Sequence, residues 1–547
     1  MKTPELVRLQ ERYEHLKLLR AGHEEMLSDA QKYVAPNKAR FTGSMGLTSN
    51  REDDQSKPIY DSTPVWANQM FANGLSSYLI PKAARWAYLK LEGTPSAELK
   101  DDELIFLERL SDMVSHIYAT PACQFYAASH EAFHDIGSFG NAVVYVNRDK
   151  PVINFKSCAL ADSFFDVNDE GVVDTMFYRK FLSTKALAQQ FPDVVNTKGF
   201  DPYAANKKYE LVFSVEPSND PSARKGGRIG SQRPYKVSYW VPELDAILFQ
   251  TGKSYFPFIV PRWMVIAGEV LGRGPAATCM SQIRVLNKMV KEILRSAEIA
   301  NNPPLVAEDD SILLPITYGA GQVLFHEAGS PVPQPLTSGS QPNLTLEMIS
   351  NYQGQITKSF FVDQIIREQK KERQSVTEIH DERGQMLQQL GPLLARQESE
   401  YLAPSIEHVI DFLQDKNHPL LQTAPESLAG RGLEVVYTSP AAHAQYAGAI
   451  SNMSGFLQDI TPLLQQDPTM AENLDTHNLF DNYARMRNIP RNVVKSKDEV
   501  TAARKQREQA ESQQQQAAAM PEMAGAMKDI ASARSTDPEG IGQLLNM

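Results

Sequence analysis

The residues best placed to do chemistry are His130-Glu131-Ala132-Phe133-His134, which read H-E-x-x-H. On a helix the two histidines share a face, so both imidazoles can reach one zinc ion while the glutamate activates a bound water. A catalytic zinc also needs a third protein ligand. In the longer pattern H-E-x-x-H-x-x-G-x-x-H, Gly137 fits, but the last position is Gly140 rather than histidine. The first downstream glutamate, Glu170, comes after a strand-like run and sits at a turn, not on a neighbouring helix. A zinc metallopeptidase built on His130 and His134 is therefore the alternative reading. The bland one is an amphipathic helix that carries two histidines and runs straight into the strand-like GSFGNAVVYV.

Gly252-Lys253-Ser254 resembles the end of a phosphate-binding loop, but the glycine required five positions earlier is Ile247. LFQTGKSYF reads instead as a hairpin turn. The loop SARKGGRIGSQR is basic and glycine-rich, and reads as a solvated hairpin loop rather than a phosphate grip. No nucleophile elbow or triad order emerges. No catalytic residue and no cofactor are expected.

The chain has 547 residues, enough for three or four folding units. Its 42% apolar and 22% charged residues are those of a globular protein. A net charge of −11 argues against a surface that grips nucleic acid throughout, yet suits a wall past which nucleic acid slides. Cys123, Cys158 and Cys279 lie far apart and make neither a metal-spaced pair nor a disulfide framework. The charged N-terminus is unlike a signal peptide, and no apolar run is long enough to span a membrane.

Residues 3–35 read as one amphipathic helix with Leu6, Leu9, Tyr13 and Leu16 on one side. Residues 36–61 read as a polar linker or arm. A helix carrying Trp66, Met70, Gly74 and Tyr78 opens at Ser62-Thr63-Pro64, a hydroxyl cap before a first-turn proline. WAYLKL reads as a strand, and residues 97–118 and 122–136 as helices. From Asn141 the period changes to two. AVVYV, PVINF and SFFDV read as strands, the last forming a hairpin with VVDTMFYRKF, and YELVFSVEP pairs with PYKVSYWVPE.

From Gly272 to Pro304 the spacing predicts a long rod. Cys279, Ile283, Leu286, Val290, Ile293, Ala297 and Ala300 fall on one stripe in steps of four and three. Arg284, Lys288, Lys291 and Arg295 form a second, basic stripe. Residues 303–342 are broken by glycines and prolines into a small strand-and-turn module. A second rod with Ile349, Tyr352, Ile356 and Phe360 covers 344–362. The module thus sits on a two-legged stalk. After the charged REQKKERQ, a capping box at Ser375 opens a long helix through Leu394 and Tyr401, which Pro404 kinks. Residues 418–440 are loop and strand-like, 441–494 helical, and the tail from Lys495 is of low complexity.

Four stretches in this order, DSTPVWANQMFANGLSSYLIPKAARWAYLKL (61–91), FHDIGSFGNAVVYV (133–146), FPFIVPRWMVIAGEVLGRGPAATC and the rod after it (256–304), and SVTEIHDERGQMLQQLGPLLARQESEYLAPSIEHVI (375–410), together with the Gln/Ala/Met-rich tail, resemble the head-to-tail connector, or portal, family of short-tailed bacteriophages, the podovirus type. The third and fourth are the most specific. The resemblance implies an α+β, predominantly helical portal-type subunit, with a mixed α/β wing, a two-helix stem, a small α/β clip and a helical crown. Mapped onto this chain it implies a wing over 1–270, a first stem helix over 271–302, a clip over 303–342, a second stem helix over 343–362 and a channel loop over 363–375. It also implies a long wing or crown-base helix over 376–417, a crown over 418–494 and a tail over 495–547. It implies a virion protein, assembled in the host cytoplasm, that forms a ring, typically of twelve, at one capsid vertex. Its partners would be the terminase large subunit, the tail adaptor or tail tube proteins, capsid and scaffolding proteins, and double-stranded DNA passing through the channel. Ile283, Leu286, Val290 and Ile293 would pack the stem with Ile349 and Ile356. Arg367, Lys370, Lys371 and Arg373 are the better choice for DNA contact in the channel, because they lie in an irregular segment. The stripe Arg284, Lys288, Lys291 and Arg295 would for the most part pair with acidic side chains of neighbouring subunits, so Lys288, Lys291 and Arg295 come second for DNA contact, since a strongly basic bore slows DNA. The family does not use the helix of His130 and His134 for metal.

Overall fold

The computed structural model describes residues 3–38, 41, 59–93, 99, 101–197, 199–203, 207–218, 234–301, 305–306, 334–335, 342–365, 391–428, 431–437 and 453–462, with scattered positions between 479 and 510. The chain divides into two units, one comprising Met1–Glu92 with Phe106–Gln445, the other Gly93–Ile105 with Tyr446–Met547. In the second unit a helix covers 453–462, on which Phe456 is exposed. The first unit carries the sheets and the helices of the stalk.

The region expected to be one helix over 3–35 is two, α1 (Pro4–Ala21) and α2 (Glu24–Tyr33), separated at Gly22-His23. Glycine weakens a helix interior, and Arg20 in the last turn sends its guanidinium to the carbonyls of Leu160, Ala161 and Ser163 instead of solvent. The apolar stripe is as the periodicity predicts: Leu6, Leu9, Tyr13 and Leu16 are buried against Phe164, Phe177, Val212 and Trp240.

α3 (Thr63–Leu79) buries Ala67, Asn68, Phe71, Ala72, Leu75 and Leu79, while Trp66 is 44% exposed. Its first N–H is capped not by the Ser62 hydroxyl but by Asp61 Oδ1, at 2.8 Å from Thr63 N. β1 (Ala87–Leu91) and α4 (Asp101–Ala119) come next, then α5 (Phe125–Phe139), which ends on Gly140 in the left-handed region.

β2 (Val143–Asn147) pairs with β3 (Asn154–Cys158). β4 (Ser163–Val167) and β5 (Val173–Ser183) form the expected hairpin around Asn168–Gly171. After α6 (Thr184–Gln190), β6 (Lys208–Pro217), β7 (Tyr235–Val241) and β8 (Ala246–Lys253) complete a five-stranded antiparallel sheet in order β4-β5-β6-β7-β8. Gly252 and Lys253 lie inside β8, opposite Lys236 and Tyr235, so the hairpin turn expected at LFQTGKSYF is a strand end. Lys253 Nζ reaches Asp149 at 2.6 Å. The short β9 (Phe258–Ile259) crosses to the other side of β2 and completes a three-stranded sheet. The basic loop at 222–233 lies outside the described residues.

The rod begins at Pro275, whose missing N–H suits a first turn, as its sequence leads one to expect. It is broken into α7 (Pro275–Thr278) and α8 (Met280–Asn301). The break falls at Cys279, whose φ of −112° and ψ of 17° leave the helical basin. β10 (Leu305–Val306) pairs antiparallel with β11 (Gln334–Pro335), and α9 (Pro342–Ser359) returns beside α8. The long helix is described over 391–415 and is named α10. It has a π-helical turn at Glu398–Leu402 directly before Pro404. The wider turn relieves the clash of the proline ring with the carbonyl one turn back. β12 (Leu433–Tyr437), from the segment read as loop and strand-like, pairs antiparallel with β1. The unit is mixed α/β, with no closed barrel among the described residues.

Candidate functional site

The histidine pair is built into helix packing rather than a metal centre. Asn73 Oδ1 of α3 lies 2.9 Å from His130 Nε2. Asn68 Nδ2, also on α3, lies 3.2 Å from His134 Nε2 and 2.7 Å from Ser138 Oγ. Burial, with the charges of Lys38 and His130 beside it, pushes His134 down to about 4. Glu131 points to solvent. Among the described residues no three histidine, cysteine or acidic side chains gather to hold a metal. The zinc reading of His130 and His134 is corrected on this geometry: both Nε2 atoms already face α3 amides and, among the described residues, no third ligand approaches. Gly137 is what lets α3 come so close. A Cβ there would fall 2.0 Å from Asn68 Oδ1 and 2.8 Å from the Phe71 ring.

One turn on, the second and third specific stretches meet backbone to backbone. A Cβ on Gly140 would fall 2.3 Å from Gly274 N and 2.5 Å from Gly272 O, and one on Gly274 would fall 2.4 Å from Ile136 O. Asn141 closes the contact from both sides. Its Nδ2 donates to Gly272 O at 2.9 Å, and its Oδ1 accepts from Gly272 N at 2.7 Å. Gly140 O accepts from Trp263 N at 2.9 Å. The neighbouring Arg262, 5% exposed, is clamped by Glu400 of α10. Nη2 donates to Glu400 Oε1 at 2.9 Å and Nε to Oε2 at 3.2 Å, and Nη2 also reaches Gly171 O at 2.7 Å. Gln397 Nε2 donates to Arg262 O at 2.7 Å. Buried charge is tolerated when it is paired and fully hydrogen-bonded. This junction fixes the root of α7–α8 to α5 and to the π-helical turn of α10.

From that root the apolar stripe of α8 loses cover outward. Ile283 and Leu286 are 1% and 0% exposed, and Ile356 in the last turn of α9 and Phe360 just beyond it are 0%. Val290, Ile293 and Ile349 are half-buried. Val285, Leu294, Leu346 and Met348 are 41%, 48%, 54% and 43% exposed. Ile283, Leu286 and Ile356 are thus buried near the root, while Val290, Ile293 and Ile349 keep only partial cover. On the basic stripe, Arg284 pairs with Asp29 of α2, while Lys288, Lys291 and Arg295 are exposed. Arg367, Lys370, Lys371 and Arg373 lie outside the described residues, as does the 303–342 module except for β10 and β11 at its two ends and the start of α9.

Of the junction residues, Gln397 falls on the helical stripe of the long helix with Leu394 and Tyr401, while Asn141, Arg262 and Glu400 were not singled out by spacing. They come from three separate stretches, and each looks like an ordinary surface polar residue until the fold buries it. The only signal was the pair of glycine clusters, GSFG and GRG.

Residues 7–494 match the profile of a family described as bacteriophage head to tail connecting protein. The chain is 26% identical over 529 residues to the portal protein of Salmonella phage epsilon15, covering 93% of this chain and 92% of that one. It is 25% identical over 504 residues to the probable portal protein of Bordetella phage BPP-1, covering 89% of this chain and 87% of that one.

Proposed function

The chain belongs to the bacteriophage head-to-tail connecting protein family, and from that premise we propose that it is the portal subunit of a virion, a structural protein through whose ring double-stranded DNA is packaged and ejected. The match across residues 7–494 carries this reading, because it spans every element of the stalk and its root. The bareness of the outer stalk supports a ring. Apolar side chains as exposed as Leu346 and Leu294 want a partner, and a head-to-tail contact between copies supplies one to every subunit at once when it closes.

In this reading the sheets and helices to residue 270 are the wing, α7–α8 and α9 the stem, and 303–342 the clip. Residues 363–375 are the channel loop, α10 the wing or crown-base helix, and 418–494 the crown. β12 ties the start of that last segment to β1 of the wing. Twelve copies surround the channel at one capsid vertex, and assembly takes place in the host cytoplasm. The clip docks the terminase motor during packaging and the tail adaptor afterwards, and the wing meets capsid and scaffolding proteins. Arg367, Lys370, Lys371 and Arg373 touch DNA transiently. Lys288, Lys291 and Arg295 are the weaker choice for that role, because the stripe they continue is already neutralised at Arg284 by the chain's own Asp29.

Deleting residues 305–340 tests the assignment. The clip reading expects rings that still form but no longer bind the motor or join tails. Truncated rings that package DNA and accept tails would contradict it.

A further inference from the structure

Where the chain leaves α2, a lysine meets an aspartate in a largely apolar place. Lys38 Nζ lies 3.0 Å from Oδ1 of Asp135 on α5. Asp135 is 2% exposed, and its Oδ1 accepts no hydrogen bond. The ammonium therefore touches the carboxyl without being hydrogen-bonded to that oxygen. Both groups line a cavity of about 200 Å³. Much of its wall is apolar: Phe41, Phe139, Cys158 and Leu160 are all buried, and the Phe41 and Phe139 rings meet edge to face with centroids 5.1 Å apart. Glu131 stands one helical turn before Asp135 on the same face of α5 and lines the exposed mouth of the cavity.

Charges closed into apolar surroundings are costly, and joining the two groups would remove both at once. Burial pushes the Asp135 carboxyl up to about 6, the Lys38 charge working against it and that of Glu131 with it. About one molecule in ten thus carries the neutral acid at pH 7. We propose that Lys38 and Asp135 condense to an intrachain amide, with Glu131 as the proton relay. Glu131 takes a proton from the ammonium, and the freed Nζ lone pair attacks Asp135 Cγ. The Nζ–Cγ bond forms and one Cγ–Oδ bond breaks. Two of the three ammonium protons pass through Glu131 to the departing oxygen, which leaves as water. One positive and one negative charge vanish, and nothing is oxidised or reduced. The fold already holds the reacting groups in contact, so the step needs no second molecule. The bond pins the segment after α2 to α5, the helix whose terminal Gly140 meets the root of the stem. Before it forms, Asp135 titrates as a free acid; afterwards it does not. Formation of the amide does not depend on the portal reading.

Mass spectrometry of the full-length chain, folded at neutral pH and then denatured, tests it. The linked chain should be lighter than its sequence by about 18 Da, one water. Trypsin should leave Lys38 uncut and release residues 33–40 joined to 110–148. Lys38→Arg and Asp135→Ala should each restore the full mass. Glu131→Gln changes an exposed side chain, so it should keep the circular dichroism of the parent while forming the link at least about a hundredfold more slowly. A parent chain that keeps its full mass after prolonged incubation is a plain buried ion pair, and that result would overturn the inference. So would a loss of water that survives Lys38→Arg, or one in which the two peptides run separately. A Glu131→Gln chain that links as fast as the parent would overturn the relay.

Discussion

Gly140 and Gly171 share one backbone conformation, φ +78°, yet differ completely in their surroundings. That makes them a matched pair for asking what holds the stem root. Around Gly171 no heavy atom lies within 4 Å of an added Cβ. Gly171→Ala should therefore cost only the left-handed strain of an L residue, about 1 kcal/mol. Gly140→Ala carries the same strain, but its methyl would lie 2.3 Å from Gly274 N and 2.5 Å from both Arg273 C and Gly272 O. These are backbone atoms, fixed by Asn141 on either side, and cannot swing away as a side-chain end can. Overpacking of this kind costs a further ~2 kcal/mol. The difference should appear in hydrogen exchange. Peptides covering 136–146 and 260–275 should exchange about a hundredfold faster in Gly140→Ala, for a total of about 3 kcal/mol, and no more than about fivefold faster in Gly171→Ala. Equal effects from the two substitutions would refute the claim that backbone contact, rather than glycine conformation, anchors the stem.

The same geometry sets two further outcomes. Val285→Glu with Leu294→Glu changes side chains that are already 41% and 48% exposed, so the secondary structure of the single chain should be unchanged by circular dichroism while its assembly into rings is lost. His134 gives a pH signature. Its folded value of about 4 lies below the ordinary 6.5 because burial disfavours the cation. The unfolded chain therefore binds the proton first, and stability falls as pH drops from 6.5 toward 4. Buried Asp135, raised to about 6, works in the opposite sense, because the folded chain takes its proton first as pH falls. His134→Gln should flatten the acid side of a stability–pH profile by up to one proton, about 1.4 kcal/mol per pH unit.

Elements with a strong period were legible before the fold was known. The α1 stripe, the β4–β5 hairpin, the β6–β7 pairing and the two stalk rods all arise from apolar spacing and turn residues. What spacing could not convey is what tertiary contact decides. The breaks at Gly22 and Cys279 interrupt runs whose periodicity continues straight through them. The H-E-x-x-H pattern is a true match in type and spacing. It becomes a packing feature only because α3 brings Asn68 and Asn73 to the imidazoles. Arg262 and Glu400 are 138 residues apart and pair across three elements, a relation no local window contains. The basic stripe was visible, but the own-chain acid on Arg284 was not, since Asp29 sits 255 residues away.

The central claim is that the stalk is completed by copies of itself around a hole. Electron microscopy of the purified full-length chain tests it most directly. Closed rings with a central channel are expected, the α8–α9 pairs of adjacent copies covering Val285, Leu294, Leu346 and Met348. A chain that stays monomeric at high concentration with those four side chains still exposed, or that grows open filaments without closing, would contradict it.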